Sequence, residues 1–348
     1  MRWDTAPPGK SDRWPRGLLP RLPAPEKYRA KFIERAIVAM QRFKNILVVT
    51  DCDDRSFSAF ERAVALALKN QAQLTVVTVL EPLPSELRRL TLTIDSEELW
   101  RIGWDERRVE LDCFLDRIRH GLTSVASRIL SGTPFLEIIR EVLRNQHDLL
   151  IITAEGGAGK MLFGSTSMHL MRKCPCPVWV VNPAQLTPYA RVLAAVDPMA
   201  DGPALESLNL KILQLASSLA RMGGSELHVI HTWLSLTEQI SYFSRLPQAD
   251  PESISATGEI HNAALDKLLG QCDLEGINVH LHLLQGEAGD LIPGVAKEKQ
   301  IDVIVMGTVS RTGIAGLFIG NTAEKVLNAA HCSVLTLKPE GFVTPVEL

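Results

Sequence analysis

Short apolar runs punctuate the chain at regular intervals. In the first half they cover 45–51, 73–80, 123–130, 148–153 and 177–181. In the second half they cover 191–197, 226–233, 278–284, 302–307 and 333–337. Runs this short and this continuously apolar predict parallel strands buried on both faces. Between the first two runs of each half, the apolar positions instead recur at helical spacing. The predicted helix faces are Phe57, Phe60, Val64, Ala67 and Leu68 in the first half. In the second they are Leu205, Leu208, Ile212, Leu215 and Leu219.

The two halves repeat each other. NILVVTD ending at Asp51 matches RVLAAVD ending at Asp197, HDLLIIT from His147 matches IDVIVMG from Ile301, and CPVWVV from Cys176 matches CSVLTL from Cys332. A long period used twice means a duplicated domain rather than a solenoid. Alternating strands and helices with right-handed crossovers predict two α/β domains, each a five-stranded parallel sheet flanked by helices. The expected domains are 40–181 and 190–340, joined through 182–189, with a C-terminal tail at 341–348. Segments 81–105 and 234–252 follow the second strand of each copy and are read as lids or partner surfaces.

Composition narrows the function. The 348 residues carry 37 Lys and Arg against 40 Asp and Glu, so no global charge favours nucleic acid or an anionic membrane. Apolar runs stop far short of the ~18 residues that span a bilayer. Six irregularly spaced cysteines fit free thiols in a reducing compartment, and a cytoplasmic location is expected. Residues 1–39 differ: they hold nine Lys and Arg against four Asp and Glu, with six prolines before residue 26. They read as a disordered basic extension followed by a short amphipathic helix bearing Tyr28, Phe32, Ile33, Ile37 and Met40. A polyanion-binding arm, or translation beginning at Met40, is the alternative.

Ligands of open α/β sheets bind beyond the carboxyl ends of the strands, where strand order reverses. Strand one ends at Asp51 and Asp197, and strand four at Thr153 and Gly307. The second-half loop, GTVSRTGIAGLFIGNTAEKV, begins at glycine and returns to Gly320 before a predicted helix at Asn321. Glycine permits close approach of an anion, and the helix N-terminus favours negative charge. An ordinary N-cap explains the same residues equally well. The first-half loop, TAEGGAGKMLFGSTSMHL, is no phosphate loop of the G-x-x-x-x-G-K-[ST] type. Ala154 replaces its first glycine, and Met161 stands where a hydroxyl should hold Mg²⁺. Gly164, Ser165 and Ser167 remain an anion-site candidate there.

On these residues the chain resembles the universal stress protein family in its tandem form, from about Met40 to the C-terminus. RKCPCPVWVV and KPEGFVTPVEL add to the likeness. The resemblance implies Rossmann-like domains of strand order 3-2-1-4-5 that bind ATP or another adenine nucleotide, with Mg²⁺ as its companion. It implies phosphate contacts at Gly307, Ser310, Gly320, Asn321 and Thr322, and nucleoside contacts at Val196, Asp197 and Thr232. Weaker counterparts in the first copy are Asp51, Val79, Gly164, Ser165 and Ser167. The family pattern is G-x-x-G, nine residues, then G-[ST]. The second copy keeps the spacing but has Ser310 and Asn321 at two of its positions, and Pro198 follows Asp197. The first copy has Thr153 at the first glycine and a loop two residues shorter. The resemblance also implies pairing of 177–181 with 333–337 inside the chain, and a homodimer of whole chains.

Other constellations add little. His280 and His282 share a strand face, while His228 and His231 should point to opposite sides. Without a third converging ligand they read as sheet histidines, so no metal is expected. Cys174-Pro175-Cys176 has the wrong spacing for a redox motif and reads as a turn. No catalytic signature is present, so no catalytic residue is assigned. The expectation is a stress-response protein that works by binding. The alternatives are a slow ATP hydrolase or phosphotransfer protein, and a scaffold that needs no nucleotide.

Overall fold

The computed structural model describes residues 43–82, 96–117, 125–155, 163–185, 188–234, 251–308 and 320–348. The basic N-terminal extension, Ser310 and most of 234–252 lie outside them, as do 83–95.

The first copy contains β1 (Asn45–Val49), α1 (Ser56–Asn70), β2 (Gln73–Leu80), α2 (Ser96–Asp116), β3 (Ala126–Ser131), α3 (Pro134–Asn145), β4 (Leu149–Thr153), α4 (Ser165–Lys173) and β5 (Val178–Val181). The second contains β6 (Arg191–Ala195), α5 (Pro203–Gly223), β7 (Glu226–Trp233), α6 (Pro251–Leu269), β8 (Val279–Gln285), α7 (Ala288–Glu298), β9 (Val303–Gly307), α8 (Asn321–Ala329) and β10 (Ser333–Leu337).

All ten strands form one sheet, in the order β3-β2-β1-β4-β5-β10-β9-β6-β7-β8. Each copy therefore has its own 3-2-1-4-5 order. Every neighbouring pair is parallel except β5 and β10, which run antiparallel with Val334 opposite Val180 and Leu335 opposite Trp179. Thr336 Oγ1 donates to Val178 O across this seam at 3.2 Å.

Alternation along each strand sends side chains to two helix layers. Val48, Phe60, Trp179, Ile212 and Leu335 belong to one core; Leu47, Ile139, Leu170, Ile304 and Val326 belong to the other. Both cores run through both copies. Burying each such large side chain stabilises the fold by about 1.5–3 kcal/mol. The two edge strands depart from the expected two-faced burial. β3 and β8 are largely half-buried or exposed, because an edge strand has a neighbour on one side only.

Leu68 corrects the predicted face of α1. It is 56% exposed, whereas Ala59, Phe60, Ala63, Leu66 and Ala67 are buried. The buried stripe lies one position N-terminal of Leu68, so that side chain points off its flank. Phe57 and Val64 pack partly against the core. In α5, Leu208, Ile212 and Leu215 are buried, and Leu205 and Leu219 are partly so.

The duplication extends to details. An aspartate before the fourth strand accepts backbone N–H bonds at the first strand's start in each copy. Asp148 takes those of Lys44 and Asn45, and Asp302 those of Ala190 and Arg191. Helices α1, α3 and α5 end on left-handed residues, Gln71, Gln146 and Gly224, and Gln300 adopts the same conformation just after α7.

The connection between copies is tied to both. Asn182 Nδ2 donates to His331 O, and Gln185 Oε1 accepts from Ser333 N and Oγ. The C-terminal tail crosses back to the first copy: Val346 joins the core beside α3, and Arg140 Nε donates to Glu347 O at 3.0 Å. Among the described residues, no helix is long and apolar enough to cross a membrane.

Candidate functional site

A cleft of about 730 Å³ opens at the carboxyl ends of β6, β7 and β9, beside the N-terminus of α8. Its size is ordinary for a small-molecule site. Its lining includes Val196, Asp197, Thr232, Gly307, Gly320 and Thr322, six of the eight second-copy residues singled out from the sequence. Asn321 is exposed and is not among the lining residues. Ser310 lies outside the described residues.

Each wall follows from local structure. The floor is apolar, with Ile212, Ile230 and Met306. Gly307 ends β9, and a Cβ there would stand 2.9 Å from Leu208 Cδ2, so the leucine would have to shift to admit one. Gly320 precedes α8 in extended backbone and donates its N–H to Thr308 O at 2.9 Å, which pins the loop's return to its start. The first N–H groups of a helix lack intrahelical acceptors, so α8 offers donors and a favourable dipole to an anion.

Asp197 is held by Asn209 of α5. Asn209 Oδ1 accepts the Asp197 N–H, and Asn209 Nδ2 donates to Asp197 O, both at 2.8 Å. The Asp197 carboxylate accepts from Met199 N at 3.3 Å.

Three aromatic side chains that sequence reasoning did not place here form the opposite wall. His231 is buried, with Nδ1 3.2 Å from Val196 O and Nε2 2.8 Å from His261 Nδ1. A carbonyl only accepts, so Nδ1 of His231 carries the proton. In the neutral ring, Nε2 then accepts from His261 Nδ1. His261 stacks on Trp233 with ring centroids 5.5 Å apart. The available signal was His231 lying just before Thr232 at the strand's end; His261, thirty residues on in α6, gave none.

The first copy is arranged differently. The Glu155 side chain lies against Gly164, so close that a Cβ on Gly164 would stand 1.9 Å from its carboxyl carbon. A carboxylate thus stands where an anion would meet the helix start. Ser165 is exposed and Ser167 buried. Asp51 O accepts from Arg107 of α2 at 3.4 Å. Val79 is partly buried in β2. These residues lie at the strand ends and at the start of α4.

Lys338, just after β10, bridges the copies. Its ammonium donates to Thr308 Oγ1 beside the cleft loop and to Met171 O at the end of α4. Burial pulls its pKa down from the ordinary lysine value to about 7. Cys174 and Cys176 face each other at 3.5 Å, both buried, as a turn would place them. The hydrogen bond to Cys174, followed by burial, pushes the Cys176 thiol well up, which disfavours the reactive thiolate.

The universal stress protein family model matches residues 42–182 and again 188–338. Universal stress protein E of Escherichia coli K12 is 30% identical, over 89% of this chain and 98% of its own. A crystal structure of a functionally unknown protein from Pseudomonas aeruginosa PAO1 is 27% identical with a TM-score of 0.65, covering 87% of this chain and 95% of that one. A universal stress protein from Archaeoglobus fulgidus, at 20% identity and a TM-score of 0.59, shares the fold over 84% of this chain and 98% of its own. Two family matches in tandem, on two Rossmann-like halves joined in one sheet, make this chain a member of the universal stress protein family.

Proposed function

We propose that the chain binds an adenine nucleotide in the second-copy cleft and acts in stress tolerance through that binding and through association with protein partners. The observation carrying this reading is the convergence of Val196, Asp197, Thr232, Gly307, Gly320 and Thr322 on one cleft. Asp197 and the backbone around Val196 suit a ribose and base. Gly307, Gly320 and the start of α8 suit a phosphate chain, with Mg²⁺ as its counterion. Glu155 argues that the first copy repels the same ligand. We further propose that whole chains pair as a homodimer.

Calorimetry with ATP, ADP and AMP tests the reading on wild type, Gly320→Val and Gly164→Val. Binding by wild type and Gly164→Val, lost in Gly320→Val, is the expected result. A wild type that binds none of the three sinks it.

One observation favours a nucleotide-independent scaffold. Among the described residues lining the cleft there is no Lys or Arg, while Asp201 and Glu287 are acidic. In that case an uncharged ligand or a protein segment fills the cleft. Turnover is the weakest reading, because the sequence lacks the G-x-x-x-x-G-K-[ST] motif that holds a metal-bound triphosphate.

A further inference from the structure

At the far end of β7 from the cleft, three side chains on two strands converge. His228 lies directly opposite His280 in the parallel register of β7 and β8, and Glu226 precedes His228 by two residues on the same face. The Glu226 Oε2 atom is 3.7 Å from His228 Nε2 and 4.0 Å from His280 Nε2. One ligand atom from each residue lies within 4.8 Å of the other two. Ligand atoms on a tetrahedral ion, at bonds of ~2.0–2.1 Å, stand roughly 3.3–3.4 Å apart. Small side-chain adjustments therefore close the site.

The polar bookkeeping points the same way. His228 is 4% exposed, and its Nε2 has no hydrogen-bond partner. The Nε2 atom of His280 is likewise buried without one. Burying an unpaired polar nitrogen costs free energy that a bound ligand would recover. The other nitrogen of His228 is already engaged: Nδ1 lies 2.9 Å from His282 Nε2. If Nδ1 donates there, the lone pair of Nε2 is left facing Glu226 and His280. A ring whose second nitrogen is fixed by a hydrogen bond is the usual arrangement of a metal-bound histidine.

We propose that Glu226, His228 and His280 bind a divalent transition-metal ion of the Zn²⁺ class, with His282 orienting His228 and water completing the shell. Imidazole and carboxylate together suit such ions better than Ca²⁺ or Mg²⁺. Glu226 also accepts from Arg191 Nε at 3.2 Å, and Arg191 reaches Gln300 Oε1 at 3.3 Å. A carboxylate has room for both, so Arg191 stays as an outer partner and moderates the affinity. The His228 and His280 rings lie 4.7 Å apart at 23°, and the half-exposed His280 ring turns to bring its lone pair onto the ion. The ion clips the edge strand β8 to β7.

The test titrates tag-free, chelator-treated full-length protein with Co²⁺ and then Zn²⁺. The expected result is one equivalent of Co²⁺ giving the visible bands of a four-coordinate nitrogen and oxygen site, displaced by Zn²⁺. His280→Ala and Glu226→Gln should each weaken Co²⁺ binding at least tenfold, while the exposed His331→Ala leaves it unchanged. Both informative variants alter half-exposed side chains, and circular dichroism checks their fold. Absence of binding, binding that survives both changes, or a thiolate charge-transfer band in the near ultraviolet overturns the proposal.

Discussion

Asn209 grips Asp197 by both backbone groups, accepting its N–H and donating to its C=O at 2.8 Å each. Asn209 itself is buried, and its amide also donates to Leu205 O at 3.0 Å. One side chain on α5 thus fixes the point where β6 ends and the cleft begins. Asn209→Leu keeps most of the volume but strands two backbone groups, at a cost of about 2–3 kcal/mol. Urea denaturation should show that loss, and nucleotide affinity should fall because Asp197 is no longer held. An unchanged midpoint would remove Asn209 from this role.

Lys338 makes stability depend on pH. Its folded pKa is lowered to about 7, well below the unfolded lysine value. Between these values the unfolded chain binds more protons, so stability rises as pH is raised from about 7 towards 10. Below pH 7 both forms are protonated and this slope vanishes. Linkage puts the gain across this range on the order of 5 kcal/mol. Lys338→Met should lack the slope. Melting temperatures of the two proteins across pH 6–10 decide it; parallel curves would count against the assignment.

Arg62 joins α1 to the connection between copies. Its guanidinium lies 3.7 Å from the Tyr189 ring centroid, and Nη2 donates to Gln185 O at 3.2 Å. Gln185 in turn binds Ser333 of β10. Arg62→Met should cost about 2–4 kcal/mol. Arg62→Lys should restore little of it, since an ammonium cannot both lie flat on the ring and reach the carbonyl. Denaturant midpoints for the pair test this, and full rescue by lysine would contradict it.

Gln71 and Gln146 close their helices at φ near +50°, where glycine is favoured. Gln146→Gly should stabilise the protein by about 0.5–1 kcal/mol, through relief of the left-handed strain. Gln71→Gly should do the same. A fall in melting temperature for both would show that the glutamine side chains contribute more than their backbone strain costs.

Strand positions were readable because a strand buried between two helix layers must be continuously apolar, as Ile46–Val49 and Val303–Met306 are; their order came only with the family resemblance. Edge strands hide better: β3, with Ser127 and Arg128, was expected over 123–130 and runs from Ala126 to Ser131. The buried face of α1 was misjudged at Leu68 because apolar spacing does not fix the helix's rotation to within one residue. The cleft was legible where chemistry sits at strand ends, as with Asp197 and Gly307. His261 and Glu226 were not. Their importance arises from partners brought close by folding, across α6 and β7 and across β7 and β8, and no local spacing encodes that.

The antiparallel seam between β5 and β10 has a consequence for inheritance. Two identical chains meeting along such a seam would carry every substitution twice. Here the partners are halves of one chain, always present one to one, and each half mutates alone. Glu155 can therefore lie against Gly164 in one copy while Gly307 and Gly320 line the cleft of the other. Covalent fusion turns a symmetric partnership into one whose members are free to specialise without ever losing each other.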